Sequence, residues 1–509
     1  MFTDYTWQDW QATPEGERAE LIDKIVAAYK SSQDCVHALK AMDYFLGENT
    51  EIRKKKSMEL EVDNHKDARG VTVTREKTVE VKGIQIPGGF FGTFVVQQNQ
   101  FLLGNGMSIA AVEAEDGTKE TDAKARLGVG FDTTLARMGE KALTHGVCYG
   151  YWNADHLEII PAVTDVRSGC AVLMDEMTSA IMVAVQYWQL SDKRSMYVRV
   201  FEPDGVTMYR REKKEGTLRL LEEKRPYVLR VRSDLAGEMV VDGANYNALP
   251  VIPLYANEER RSELTENIKA KIDAYDRILS DYSDNLDRAN DVYWVLNNYG
   301  GTDKDILAML AKIRELKAVV SMSDGMGTSS TAEPHTFEVP YAAREKALEI
   351  LKKALYRDYM ALDTEALTGG SLTNVAIQVA MSYINLKCDR YEWQVLTFLR
   401  QLFRLLGMEE CADRVTLTRR TITNDDEIIR EIYESRQDID QRTALRLNPM
   451  INPDDVEGIV EATQAEKMTR APSFEDVDKL LADQQARLRM LQQPKEPEDG
   501  GGTVTDDEG

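Results

Sequence analysis

The chain has 509 residues, of which 43% are hydrophobic and 29% charged, and its formal net charge is −23. At roughly 150 residues per domain this is about three domains, with enough apolar content for real cores, which excludes a wholly disordered chain. The acidic balance argues against nonspecific nucleic-acid binding by the chain as a whole, because phosphate affinity comes from clustered Lys and Arg, but it does not exclude a protein that lets DNA pass.

The first elements read as helices. Leu21, Ile22, Ile25, Val26 and Tyr29 fall at helical spacing, and Val36, Leu39, Met42 and Phe45 form a second stripe that stops at Gly47. The basic run Arg53-Lys54-Lys55-Lys56 follows, readable as a functional patch or as a solvated loop. Residues 79–86, Pro87-Gly88-Gly89 and 90–96 read as strand, turn and strand, and 97–150 as mostly helical. From about 158 to 256 the texture is β: 158–163, 181–188, 196–201, 206–210, 227–231 and 239–241 are short β-prone runs. Turns such as Pro203-Asp204-Gly205 separate them, which predicts a mainly antiparallel region.

Helices then dominate. Leu264, Ile268, Ile272, Tyr275, Leu279, Tyr282, Leu286 and Ala289 make one apolar stripe about seven turns long. Asp273, Asp276, Asp284, Asp287 and Asp291 make a second stripe, rotated from the first by roughly 100–140° at 3.6 residues per turn. That acidic stripe reads either as a solvated outer face or as the lining of an aqueous passage. A compact insert follows: a strand at 292–296, a turn at Tyr299-Gly300-Gly301, a helix over 303–316, and strands at 318–322 and 335–339. Between those last strands, 323–334 is rich in Gly, Ser and Thr and reads as mobile. Pro340 opens a helix carrying Leu348, Leu351, Leu355 and Leu362, so one helix leaves, a small α/β knob is built, and a second helix returns. Asp363-Thr364-Glu365-Ala366-Leu367-Thr368-Gly369-Gly370-Ser371 breaks the pattern, and the next helix spans about 374–406, roughly 50 Å at 1.5 Å per residue. Its apolar residues (Val375, Ile377, Val379, Met381, Ile384, Leu386, Trp393, Leu396, Leu399, Leu402, Leu406) occupy several faces, which requires burial in a core or against other subunits. A strand at 415–418 and acidic helices around 428–433, 441–447, 454–462 and 474–491 complete the chain before a Pro-, Gly- and acid-rich tail from Pro494 that reads as disordered.

The chemistry-bearing motifs are few. The sequence contains no GxxxxGK[ST], no HExxH and no GxSxG. The histidines His37, His65, His145, His156 and His335 are scattered without metal-ligand spacing, so no metal and no cofactor is expected. Gly104-Asn105-Gly106 lacks the third glycine of a dinucleotide fingerprint and reads as a turn. The five cysteines (Cys35, Cys148, Cys170, Cys388, Cys411) form no CxxC pair and suit free thiols in a reducing cytoplasm. The longest apolar runs, such as 181–185, are far short of the ~20 residues of a membrane span, and the first residues lack an apolar signal core, which argues against export. A binding or structural role therefore outranks catalysis. The competing class is a DNA-processing enzyme, a nuclease or terminase subunit, and a third is a monomeric helical adaptor.

The order of elements over roughly 40–470 resembles the portal proteins of long-tailed bacteriophages. The resemblance is carried by an ordered set: Asn99-Gln100-Phe101-Leu102-Leu103-Gly104, Leu249-Pro250-Val251-Ile252-Pro253-Leu254, Ser262-Glu263-Leu264, Ile272-Asp273-Ala274-Tyr275-Asp276, Ser283-Asp284-Asn285-Leu286, Val375-Ala376-Ile377, Leu386-Lys387 and 443–453. It implies an α+β, mainly helical portal fold in a ring, usually of twelve subunits, at one capsid vertex of the virion, assembled in the host cytoplasm. In that fold 1–256 is the wing, with its β-rich region at 158–256. Residues 257–291 are the outgoing stem helix, 292–340 the clip and 341–362 the returning stem helix. The tunnel loop is 363–372, the spine helix 373–407 and the crown 408–492, ahead of the tail at 493–509. The implied partners are further copies of the chain, the terminase, the major capsid and scaffolding proteins, the head-completion (adaptor) proteins, and double-stranded DNA passing through the channel. Asp363, Thr364, Glu365, Ala366, Leu367, Thr368, Gly369, Gly370 and Ser371 would face the DNA. Asp273, Asp276, Asp284, Asp287 and Asp291 are candidates for the stem's channel lining, and Lys304, Lys312 and Arg314 are clip candidates for terminase docking. An acidic lumen suits passage, since a conduit that gripped phosphates would stall its cargo.

Overall fold

The computed structural model describes residues 3–54, 57–66, 72–81, 83–110, 112–113, 119–120, 124–212, 216–233, 239–289, 293–297, 323–324, 328–329, 331–335, 341–367, 374–419, 425–435, 439–451, 455–469, 479 and 481–487. They divide into two units. The larger comprises Met1–Gly370 with Ile377–Ile422, and the smaller comprises Ser371–Ala376 with Thr423–Gly509.

The larger unit opens with helices α1 (Trp7–Ala12), α2 (Arg18–Ser31) and α3 (Gln33–Phe45). Thr6 caps α1 in a capping box with Asp9, and Ser32 caps α3 through the Cys35 N–H. The stripe on α2 buries as its spacing predicts. On α3 the buried residues are Cys35, Ala38, Ala41 and Tyr44, one position away from the larger apolar residues, and Val36 is exposed. Small side chains let the helix approach its neighbours closely, so packing distance outranks residue hydrophobicity on this face. A two-stranded antiparallel hairpin follows, β1 (Ser57–Lys66) with β2 (Thr72–Val81). The expected strand at 90–96 is instead the first half of helix α4 (Phe90–Leu103), capped at Gly89. Phe91, Phe94, Val95, Gln98, Phe101 and Leu102 are buried at helical spacing, so tertiary burial overrides the β propensity of the Phe- and Val-rich run.

After β3 (Met107–Ile109), β4 (Val112–Glu113), β5 (Lys119–Glu120) and helix α5 (Phe131–His145) comes a run of eleven further strands. These are β6 (Val147–Asn153), β7 (His156–Pro161), β8 (Val163–Asp165), β9 (Ser168–Met174), β10 (Ile181–Gln189), β11 (Met196–Glu202), β12 (Gly205–Arg211), β13 (Arg219–Arg225), β14 (Val228–Ser233), β15 (Met239–Ala244) and β16 (Val251–Tyr255). They form a six-stranded sheet in the order β13-β12-β11-β10-β9-β8, a three-stranded sheet β16-β6-β7 and the hairpin β14-β15. Every pairing is antiparallel, as the sequence predicts for 158–256. The inner face of the large sheet (Val183, Val185, Tyr187, Val198, Val200) shares one apolar core with α1 and α2. Tyr29 meets Tyr187 edge-on with centroids 6.3 Å apart and donates to the Ala162 carbonyl at 2.9 Å, and Trp10 Nε1 donates to Glu202 Oε1 at 2.9 Å.

Helix α6 (Glu266–Ala289) leads to the insert, where β17 (Tyr293–Asn297) pairs antiparallel with β20 (Thr331–His335). The strand partner therefore spans 331–335, taking in the end of the stretch 323–334 expected to be mobile and the first residue of the strand expected at 335–339, whose residues 336–339 fall outside the described residues; β18 (Ser323–Asp324) and β19 (Thr328–Ser329) also pair. The helix at 303–316 and the strand at 318–322 fall outside the described residues. Helix α7 (Tyr341–Tyr359) returns, and helix α8 spans Asn374–Leu406 with the bounds the sequence predicts. Strand β21 (Val415–Leu417) pairs with β3, so the stretch 408–422, expected to open the crown, belongs with the larger unit. The smaller unit holds α9 (Asp425–Glu434), α10 (Gln441–Leu447) and α11 (Val456–Thr469). Asp440 caps α10 by accepting from the Thr443 N–H at 3.2 Å.

Candidate functional site

Helices α6 and α7 pack antiparallel. At one end Asp358 of α7 accepts from Asn267 Nδ2 at 3.3 Å and pairs with Lys271. At the other, Arg344 donates to the Asp281 carbonyl at 3.2 Å, and Tyr282 meets Tyr341 edge-on. The bond from Lys271, then that from Arg357, holds the Asp358 carboxyl down at about 2. The pair is thus a two-helix arm with the insert at its far end, as the apolar stripes predict.

The acidic stripe does not behave as a channel lining along its length. Asp276 is 0% exposed; it accepts from the Gly88 N–H at 3.0 Å and from Asn49 Nδ2 at 2.7 Å. Asp273 accepts from the Tyr44 hydroxyl and from Asn49 Nδ2, and pairs with Lys269 at 2.6 Å. A carboxylate sealed inside its own chain cannot face a lumen, so Asp276 is removed from the lining set, whereas Asp273 is half-buried. Burial, opposed by the Gly88 and Asn49 hydrogen bonds, pushes the Asp276 carboxyl up from its ordinary value. Asp284 accepts from the Ile84 N–H at 2.8 Å and is half-buried. Asp287 lies near the end of α6; its side chain and Asp291 fall outside the described residues, as do Lys304, Lys312 and Arg314. The buried seam of α6 runs Ile268, Ile272, Asp276, Ser280, one i, i+4 ridge that changes from apolar to polar half-way. Tyr275, Leu279 and Tyr282 are only half-buried.

The candidate loop starts from a fixed base. Gln97 clamps Leu362 with two hydrogen bonds, Nε2 to the carbonyl at 2.9 Å and the Leu362 N–H to Oε1 at 3.0 Å. Tyr359 donates to Gln98 Oε1 at 3.0 Å, and Lys387 of α8 caps the Tyr359 carbonyl at 2.9 Å with its ammonium 3.4 Å from the ring centroid. Phe94 stacks on Tyr359 at 4.7 Å, and Phe90 meets Tyr275 at 4.9 Å, so α4 braces both arms. Beyond this base, Thr364–Leu367 makes a single 3₁₀ turn, with Asp363 Oδ1 accepting from the Glu365 N–H at 3.1 Å. Glu365 pairs with Lys352 at 2.5 Å, which raises the Lys352 ammonium's pKa. Thr364 is exposed. The side chains of Ala366 and Leu367, and all of Thr368, Gly369, Gly370 and Ser371, lie outside the described residues. The bracing residues Gln97, Gln98 and Lys387 escaped sequence reasoning; an amide pair inside an otherwise apolar helical run was the available signal.

Helix α8 has two apolar faces with different fates. Ile377, Met381, Ile384, Cys388, Tyr391, Val395, Leu399 and Leu402 are buried. Val375, Val379, Tyr383, Leu386 and Trp393 are not; Leu386 is 57% and Trp393 66% exposed. At 100° per residue these five span about 80° opposite the buried face and run roughly 27 Å along the axis.

The sequence profile described as "Phage portal protein, SPP1 Gp6-like" matches residues 27–486. The chain belongs to this portal family. It is also 27% identical over 236 residues to the protein named "Portal protein" of Clostridium phage phiCD119, covering 45% of this chain and 51% of that one. It is 28% identical over 221 residues to the "Portal protein" of Bacillus phage SPP1, covering 40% of this chain and 42% of that one. The chain thus spans about half the length of the curated relatives it matches. The portal family is structural rather than enzymatic. Among the described residues no group of three or more His, Cys, Asp or Glu could hold a metal ion, and no helix is long and apolar enough to cross a membrane.

Proposed function

We propose that this protein is a phage portal: a homo-oligomeric ring at one capsid vertex through which double-stranded DNA is packaged and later ejected. The observation that carries the reading is the exposed stripe Val375, Val379, Tyr383, Leu386 and Trp393 on α8. Five large apolar side chains in one line are an interface surface, and each is worth roughly 1.5–3 kcal/mol when buried. A neighbouring copy repeated around a closed rotation covers that stripe on every subunit at once.

In this reading the β-rich region is the wing, α6 and α7 are the stem, and the insert is the clip that meets the terminase and then the head-completion proteins. The segment 363–372 is the tunnel loop, its base held by Gln97 and Lys387, and α9 to α11 belong to the crown. The major capsid and scaffolding proteins meet the outer surface. The stem's contribution to the lumen falls to the half-buried Asp273 and Asp284, with Asp287 and Asp291, and to Asp363 and Glu365 in the loop.

The test is Leu386→Glu with Trp393→Glu. Both side chains are exposed in the single chain, so the variant keeps its far-ultraviolet spectrum and sheet-core protection while light scattering reports monomer. Rings of unchanged mass and stability refute the assignment of this face.

A further inference from the structure

The segment Ile84–Gly88 runs extended along α6, and its fastening is regular. The N–H groups of Ile84, Ile86 and Gly88 donate to Asp284 Oδ1 at 2.8 Å, Ser280 Oγ at 3.0 Å and Asp276 Oδ1 at 3.0 Å. The donors alternate along the segment, and the acceptors stand one helical turn apart in the opposite chain direction. Four residues of extended chain cover ~13 Å and eight residues of helix rise ~12 Å, so the two repeats stay in step over three rungs.

The intervening residues fit the same scheme. Alternate N–H groups of an extended chain point the other way, and one of the two intervening positions is Pro87, which has no N–H to lose. The other, Gln85, sends its side chain to the Arg53 carbonyl at 3.0 Å. At the last rung a Cβ on Gly88 would stand 2.6 Å from Asp276 Oδ1 and 3.2 Å from the Phe90 ring. Only glycine lets the backbone close on that carboxylate. Asp276 is itself held by Asn49, which bridges it to Asp273. The rungs are graded: Asp276 and Ser280 are fully buried, whereas Asp284 is half-buried.

We propose that Ile84–Gly88 is a releasable strap whose latch is the helical form of α6, so that the anchorage of the β1–β2 hairpin, which ends two residues before the strap, responds to the shape of that helix. The acceptors line up with the donors only while 276–284 is regular α-helix. A kink or a one-residue slip in this stretch turns Asp284 about 100° away from Ile84. The strap then peels from its hairpin end, and the Gly88 rung, sealed with Asn49, holds last. The device needs no portal assembly, but if α6 is the stem, movement at the clip end reaches the hairpin through it.

The experiment is residue-resolved hydrogen–deuterium exchange on the full chain. In the unmodified protein, protection should rise in the order Ile84, Ile86, Gly88. Ser280→Ala, which favours helix, should speed exchange at Ile86 by about tenfold, the scale of one lost hydrogen bond, with α6 amides 266–275 unchanged. Gly88→Ala should release all three amides together. Arg277→Ala, an exposed position on the same helix, is the control and should change none of them. Uniform protection across the three amides, or an Ile86 rate indifferent to Ser280→Ala, overturns the proposal. If Ser280→Ala loosens the wing strands as well, Asp284→Ala decides, because that acceptor is half-exposed and only Ile84 and the hairpin side should loosen.

Discussion

His145 makes the chain acid-sensitive at one identifiable point. It is the last residue of α5, 2% exposed, and among the described residues neither ring nitrogen has a hydrogen-bond partner. Burial, and secondarily the Lys141 cation, push its pKa down from 6.5 to about 3. Between those values the unfolded chain binds a proton that the folded chain does not, so stability falls as the pH drops below about 6.5 and the loss levels off near 3. At 1.36 kcal/mol per pH unit the loss is about 3 kcal/mol at pH 4 and roughly 4–5 kcal/mol by pH 3. The perturbation is His145→Leu, which fills a similar volume and removes both unpaired nitrogens. At pH 7.5 the variant should match or exceed the parent, since a buried unpaired polar atom costs roughly 1–3 kcal/mol. Urea-unfolding free energies at pH 7.5, 5.5 and 4.0, at equal protein concentration so that association cancels, should show the parent losing about 3 kcal/mol more than the variant by pH 4. Carboxylates titrate in both proteins and drop out of the difference. Parallel pH profiles would refute the reasoning, because they would mean that His145 is protonated, or solvated, in the folded chain.

Two predictions concern the portal reading. Gly369→Pro with Gly370→Ala should leave assembly and procapsid occupancy normal and make DNA packaging slow or incomplete in vitro, since the loop loses backbone freedom while its base at Gln97 and Lys387 is untouched. Normal packaging at normal occupancy would show that the loop does not work against DNA. In the insert, Lys304→Glu with Lys312→Glu should spare the ring and weaken terminase docking; an unchanged motor with a broken ring would reverse that assignment.

The parts of the fold legible in sequence are those whose pattern is local. Helix α8 was readable because thirty-three residues of helical pattern lie between the Gly369-Gly370 break and Gly407. The antiparallel strands β10 to β12 were readable from alternation and turns. Strands β6 and β9 were missed because nearly every side chain in them is buried, leaving no period-2 signal. The run Phe90-Phe91-Gly92-Thr93-Phe94-Val95-Val96 looked like a strand because its helix is stabilised by Tyr275, Tyr356 and Tyr359, which are remote in sequence. The acidic stripe on α6 misled for a related reason. A carboxylate that serves a backbone N–H about 190 residues away has the same local sequence signature as one that serves solvent. What decides between them is the extended segment lying on it, which periodicity within α6 cannot register. The exposed half of α8 was anticipated as apolar surface in need of cover, and the single chain leaves it bare.

The central claim is a closed ring, and native mass measurement of the purified protein at micromolar concentration tests it most directly. Twelve copies of the 57.6 kDa chain weigh about 700 kDa, and negative-stain images of that species should show a central channel wide enough for duplex DNA. Monomer or dimer alone, across a range of salt concentrations, would contradict the account.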